Sequence, residues 1–327
     1  MKTLVTGATG FIGSHLVERL LELGEEVRCF VRPTSNTRWI KNLPVEIFVG
    51  DFFQPESLRN ALRDVRAVYH VAGITKARKK QDYWRVNSEA TRRLLDVISK
   101  FGTSFDRFVH ISSQAAVGPS LDGTPVDELT PLHPVDRYGK SKKDAEEACH
   151  EFSEKVPFTI IRPVAVYGPR DQDAFSFFKL IHSGILPIIG SENKRVALVH
   201  VKDLVEGITL AARTERALSQ TYFIGNKVSP SWGEIYLVAA QIVGRRVRKL
   251  TIPNLAIYLV AAIAEPLAML TGKPALFSLE KAKELAQADW SCNVEKAERE
   301  IGYSSKTPLI DGMRTTLQWY RSEGWLK

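Results

Sequence analysis

Short continuous apolar runs alternate with stretches whose apolar residues recur every three or four positions, from the first residues to about residue 169. KTLVTG (2–7) reads as a buried strand ending in glycine, and FIGSHLVERLLELG (11–24) as a helix with a glycine stop. Further strands are predicted at 26–32, 45–51, 66–73, 107–113 and 157–168, and helices at 57–64 and 87–102. The strands are apolar throughout, as burial on both faces requires. Their alternation with helices implies a doubly wound α/β fold, a parallel sheet covered on both sides.

After residue 169 the rhythm changes. A short apolar helix is predicted at 175–184, a strand entering a helix at 195–213, one more sheet strand at 220–225, and mainly helix beyond about 227. The expected division is a nucleotide-binding sheet domain (1–169 with 199–226) and a smaller, mainly helical substrate domain (170–198 with 227–327). LAIYLVAAIAEPLAML (255–270) is apolar on all sides but is interrupted by Glu265 and Pro266. It is shorter than the ~20 residues a membrane span needs. It is read as a buried helix or a lid over an apolar pocket, with a weak membrane-surface contact as the alternative.

Composition adds little that is specific. The 327 residues are 44% apolar and 25% charged, ordinary globular usage and enough for a sizeable core. A net charge of +8 suits an acidic ligand, nucleic acid or an anionic surface. The basic runs at 76–80 and 244–249 lack zinc-finger, RNP-type or basic–aromatic spacing, so nucleic acid is set aside and both are read as solvated surface. Cys29, Cys149 and Cys292 are far apart and odd in number, which suggests neither a disulfide framework nor a metal site. The N-terminus has no signal-peptide layout, and a cytoplasmic, reducing location is the expectation.

The first strand runs into GATGFIG, residues 7–13, and then a helix. Gly7, Gly10 and Gly13 permit a tight turn and close approach of a phosphate to backbone N–H groups at the positive helix end. Between a strand and a helix at the head of an α/β alternation, this turn reads as a dinucleotide (Rossmann) site. A site that excludes a 2′-phosphate carries an acid at the end of the second strand. Here Val31 stands in that place and Arg32 follows, with Arg38 in the loop beyond. Arginine binds phosphate in a bidentate manner, so NADP(H) is favoured over NAD(H).

DRYGKSKKDAEE (136–147) sets Tyr138 and Lys142 four residues apart, on one face of a helix. An ammonium beside a phenol favours the phenolate, so such a tyrosine can act as an acid or base. By itself the spacing reads first as a solvated charged face.

Together, TGATGFIG, VGD (49–51), HVAG (70–73), VNSEAT (86–91), ISSQAAVG (111–118), YGKSK (138–142) and RPVAVYGPRD (162–171) resemble the extended short-chain dehydrogenase/reductases, the NAD-dependent epimerase/dehydratase family. The resemblance spans nearly the whole chain and is weakest over about 227–290. It implies that Tyr138 is the catalytic acid/base, that Lys142 lowers its pKa and holds the nicotinamide ribose, and that Ser113 hydrogen-bonds the substrate oxygen. Ser112 competes for that last role, but strand alternation points it to the other side. The cofactor-binding set implied is Gly7, Thr9, Gly10, Phe11, Ile12 and Gly13 at the pyrophosphate, Arg32 beyond the second strand, Asp51 and Phe52 at adenine, and Val71, Ala72 and Gly73 under the adenosine half. Asn87 near the cofactor and Pro163 to Val166 at the nicotinamide complete it, together with Tyr138 and Lys142; Asn87 also reads as a helix cap.

VRCFVRPTSN and ISSQAAVG resemble the dihydroflavonol-reductase-like and 3β-hydroxysteroid-dehydrogenase-like members. Gln114 and Ala115 stand where a dehydratase has an acid pair. The resemblance therefore implies an oxidoreductase that reduces a ketone, or oxidises the matching secondary alcohol, on a rather apolar small molecule. A nucleotide-sugar 4-epimerase with tightly bound NAD is the alternative, with Arg170, Lys194, Arg195 and Arg245 as candidates for a second pyrophosphate. The family also implies a homodimer through helices 87–102 and 140–155.

Overall fold

In the computed structural model, which describes residues 2–101, 105–244, 246–271 and 278–326, the apolar runs become parallel strands. The first part of the chain forms β1 (Lys2–Thr6), α1 (Phe11–Glu22), β2 (Glu26–Val31), β3 (Glu46–Val49), α2 (Pro55–Ala61) and β4 (Ala67–His70). It continues through α3 (Asp82–Trp84), a π-helical turn (Arg85–Glu89), α4 (Ala90–Phe101), β5 (Arg107–Ile111), α5 (Arg137–Glu151) and β6 (Phe158–Pro163). Next come β7 (Ala165–Tyr167), α6 (Gln172–His182), β8 (Ile185–Ile189), β9 (Arg195–Val196), β10 (Leu198–His200), α7 (Val201–Arg213) and β11 (Gln220–Ile224). The chain ends with α8 (Trp232–Val243), β12 (Arg248–Ile252), α9 (Asn254–Thr271), α10 (Leu279–Ala286), β13 (Asp289–Trp290), α11 (Glu295–Ile301) and α12 (Leu309–Ser322).

The main sheet has seven strands in the order β11-β6-β5-β4-β1-β2-β3, all parallel. Successive residues of each strand point to opposite faces, so one apolar run feeds two cores. Val5, Val31, Tyr69, Val109 and Ile161 pack with Leu16 and Leu20 of α1 and Leu204 and Ile208 of α7. Their neighbours Leu4, Phe30, Val68, Phe108 and Ile160 pack with Leu58 of α2, Leu94 and Ile98 of α4 and Ala148 of α5. Strand order reverses at β1, which pairs with β2 on one side and β4 on the other. In such sheets the crevice beyond the strand ends at that reversal is where a ligand binds.

Three short parallel pairs, β10 with β7, β12 with β8 and β13 with β9, belong to the later part of the chain. A third core, built from Phe178, Ile181, Leu186, Ile188, Ile235, Met313, Leu317 and Tyr320, joins α6, β8, α8 and α12. Strands β8, β12 and β13 are absent from the sequence reading, because β8 carries Pro187, β12 is basic and mostly exposed, β13 has two residues, and the partner of each lies far away in the chain.

The reading of 255–270 as a buried helix is corrected. Helix α9 buries Ile257 and Ala261 against Ile189, Ile252 and Leu285. Its other side is open, with Leu255 71%, Leu259 58%, Ile263 65% and Leu267 57% exposed. Only α10 and the β8–β12 pair cover it among the described residues, and none of its described side chains lines the main cleft. Among the described residues, no helix is long and apolar enough to cross a membrane.

Candidate active site

A cleft of about 1140 Å³ lies beyond the ends of β1, β2, β4 and β5. Its floor is the glycine turn. Gly7 has φ +70°, and a Cβ there would sit 2.6 Å from the Ala72 backbone nitrogen. A Cβ on Gly13 would sit 2.1 Å from the Gly7 carbonyl oxygen, so helix and strand touch at a distance only glycine permits. The Gly10 N–H donates to the Gly7 carbonyl at 3.0 Å and closes the turn. No side chain caps α1 and no acid occupies its first turn. The first N–H groups of a helix have no partner within it, and Phe11, Ile12 and Gly13 line the cleft together with Thr9 and Gly10. A backbone cradle of this kind fits the diphosphate of a dinucleotide.

The rest of the expected cofactor set divides. Arg32, Asp51, Phe52, Val71, Ala72 and Gly73 line the cleft. Arg32 is exposed at the end of β2, its N–H donating to Ser35 Oγ at 3.0 Å, with no ion pair among the described residues. Arg38 does not join it. Its guanidinium stacks on Trp39 at 4.1 Å and on Trp325 at 5.6 Å from the ring centroids. Asn87 is fully buried behind the cleft wall and lines nothing. It caps no helix; its Oδ1 accepts the Ile74 N–H at 2.8 Å, and its Nδ2 donates to the Ile74 carbonyl at 3.0 Å and Ser141 Oγ at 2.9 Å. It thereby clamps the loop after β4 to α5. Pro163 and Val166 also stay out of the cleft, because Pro163 is buried in the ladder beside Ile224 of β11 and Val166 packs against the core beside Val199 of β10.

Helix α5 brings the expected catalytic groups to the cleft. Asp136 caps it by accepting the Gly139 N–H at 2.7 Å. Arg137 pairs with Glu280 of α10, which also accepts the Arg137 N–H at 2.8 Å. Tyr138 and Lys142, one turn apart, both line the cleft. Ser113, which precedes a short helical turn beyond β5, sits beside the Tyr138 phenol but not among the residues lining the cleft, and its Oγ accepts the Ala115 N–H at 3.1 Å. Ser112 borders the cleft, yet its hydroxyl donates to Glu146, which is itself bound to Arg162 in a buried pair.

Lys142 is not among the main influences on the Tyr138 phenol. Burial pushes the Tyr138 phenol up to about 12; the Ser113 hydrogen bond opposes this and nearby Asp136 reinforces it. Lys142 is itself pulled down to about 8 by burial, with Glu146 opposing. Its Nζ donates to the Ile111 carbonyl at 2.5 Å. A Cβ on Gly73 would lie 3.7 Å from that nitrogen and 3.2 Å from Asn87 Oδ1, so the space under the β4 loop is kept for small atoms.

Sequence reasoning missed parts of the cleft wall. Trp39, Arg85, Gln172 and Asp173 line it, and Lys76, read as solvated surface, pairs with Asp173 across it. Their side chains come from loops and helix starts with no periodic signal. The four cations suggested for a second pyrophosphate also have their places. Arg170 lines the cleft but is tied to α1 through Ser14 Oγ at 3.1 Å and Glu18 Oε1 at 2.6 Å. Lys194 donates to the carbonyls of Leu285 at 3.1 Å and Ala286 at 2.9 Å, and Arg195 to that of Ser229 at 3.1 Å. Arg245 lies outside the described residues.

Comparison with known proteins agrees with this architecture. The chain is 33% identical over 323 residues to the ceramide reductase of Caulobacter vibrioides (strain NA1000 / CB15N), covering 98% of this chain and 95% of that one. It is 25% identical over 321 residues to a 4-hydroxy-2-methyl-3-oxo-4-farnesyl-3,4-dihydroquinoline-1-oxide ketoreductase of Stigmatella aurantiaca, covering 96% and 95%. Among solved structures, the UDP-glucuronic acid 4-epimerase of Bacillus cereus, in complex with UDP-glucuronic acid and NAD, matches with TM-score 0.79 and 25% identity over 99% of this chain and 100% of that one. The model of the NAD dependent epimerase/dehydratase family matches residues 3–225, and the chain is an enzyme that belongs to that family.

Proposed function

We propose that the protein is an NADP(H)-preferring oxidoreductase that reduces a ketone, or oxidises the matching secondary alcohol, on a rather apolar molecule. The observation that carries this over a sugar-nucleotide epimerase is the engagement of Arg170, Lys194 and Arg195. Each already serves another part of the fold, which leaves a second pyrophosphate without them among the described residues. Dehydration finds no support either: Gln114 Nε2 donates to the Trp290 carbonyl at 3.0 Å and holds β13 in place. The names of two relatives, a ceramide reductase and a ketoreductase of a farnesylated quinoline, describe carbonyl chemistry on apolar molecules.

In this reading the nicotinamide, when bound, supplies the hydride. The side chains manage the proton and the charge. Ser113 donates a hydrogen bond to the substrate oxygen, where negative charge develops. Tyr138, whose phenol is protonated at neutral pH and is pushed higher still by burial, gives that oxygen its proton. Lys142 holds the ribose hydroxyls, and the cofactor's negative charge favours its ammonium form. At the other end, Arg32 and the absence of a carboxylate at the end of β2 suit a 2′-phosphate.

The test is titration of the purified protein with NADPH and NADH, followed by a panel of apolar ketones. Exchangeable binding that favours NADPH several-fold, with turnover of a ketone, supports the proposal. Tightly retained NAD and epimerisation of a sugar nucleotide overturn it.

A further inference from the structure

We propose that the outer face of α9 docks the protein onto anionic membrane surfaces, lying in the headgroup region without crossing. This goes beyond the proposed reaction and does not rest on it. Leu255, Leu259, Ile263 and Leu267 recur every four residues and form one stripe. Each is more than half exposed, as are Val260 on the same helix and Leu250 on β12. A helix on a protein surface ordinarily turns polar residues outward; here the outward face is apolar along its described length. The one charged side chain of α9, Glu265, is half-buried and lies toward α10, where its Oε2 accepts the Leu279 N–H at the start of that helix at 3.1 Å. No charge therefore interrupts the stripe.

The electrostatics select the occupant. The strand leading into α9 is basic, and Arg246 and Arg248 are exposed with no ion pair among the described residues. Lys249 is partly offset by Glu192. The chain as a whole carries +8. A second copy seated on the stripe would bring two such basic strands together, whereas an anionic lipid surface complements them. An apolar stripe beside cations is the pattern that lies in a membrane interface, and each basic residue near such a surface adds about fivefold in affinity.

The experiment is flotation of the full chain with two kinds of vesicle, pure phosphatidylcholine and phosphatidylcholine with about a quarter phosphatidylglycerol. The wild-type protein is expected to favour the anionic vesicles by at least tenfold and to be released by salt. Leu259→Ser with Ile263→Ser, two exposed positions outside the cleft, is expected to reduce flotation at least tenfold and to leave cofactor titration and turnover of a short soluble ketone unchanged. Arg246→Glu with Arg248→Glu is expected to abolish the preference for anionic lipid. Wild-type protein that stays with the soluble fraction, equal flotation on both vesicles, or a serine variant that floats like wild type overturns the proposal. So does a serine variant that turns a dimer into a monomer while neither form binds lipid. Loss of ketone turnover with flotation intact counts against the proposed reaction alone.

Discussion

Lys142→Met separates what the buried ammonium does for the reaction from what it costs the fold. A fall of the lysine pKa from 10.5 to about 8 means that the folded protein holds the charged form less favourably than the unfolded chain does. At about 1.4 kcal/mol per unit this is about 3 kcal/mol of destabilisation at neutral pH. Methionine fills a similar volume without the charge. It leaves the Ile111 carbonyl without its donor, which costs about 1–3 kcal/mol. The variant without cofactor is therefore expected to be as stable as wild type or up to about 2 kcal/mol more stable, while ketone reduction is lost. The pH dependence identifies the cause. For a base whose folded pKa is depressed, the unfolded chain holds more protons between about pH 8 and 10.5, so wild-type stability gains over that window as pH rises. The variant's advantage is fully present below pH 8 and fades through it. Urea unfolding of both proteins at several pH values measures the difference, and groups common to both cancel. A variant more than about 1 kcal/mol less stable at pH 7, or a difference that ignores pH, would refute the reasoning.

Tyr138→Phe removes the proposed proton donor and leaves the ring, so kcat is expected to fall about 10²–10⁴-fold while the NADPH affinity stays within a few-fold; steady-state kinetics beside a fluorescence titration checks both. Arg32→Gly is expected to weaken NADPH binding about tenfold or more and leave NADH nearly unchanged; an equal loss for both would place the residue outside the phosphate site. Gly7→Ala combines a positive φ with a Cβ 2.6 Å from the Ala72 nitrogen, so it is expected to lower thermal stability and abolish cofactor binding, read by a melting scan with and without NADPH. Arg162→Met strands Glu146 in a site where both partners are almost fully buried, and a loss of about 3–5 kcal/mol in urea unfolding is expected.

The sequence by itself determined the frame of the site. The apolar runs had to be buried strands, the glycine turn had to sit between strand and helix, and Tyr138 and Lys142 had to share a helix face, because each follows from local period and backbone sterics. The tertiary structure decided the rest. Asn87 looked like a cofactor contact or a cap until packing put its amide between the Ile74 backbone and Ser141. Arg38 and Arg170 carry the same charge as Arg32, yet one stacks between indoles and the other bonds to α1, because Trp325 and Glu18 arrive from distant parts of the chain. Strands β8 and β12 pair across some sixty residues, and neither ILPII, with its proline, nor the mostly exposed RKLTI carries the pattern of a buried strand. Helix α9 shows the limit most plainly. Its sequence is apolar on nearly every side, and only the positions of α10 and the β8–β12 pair determine which side is covered and which is left to water. Local period fixes which residues share a face; what that face meets depends on contacts between residues far apart in the chain.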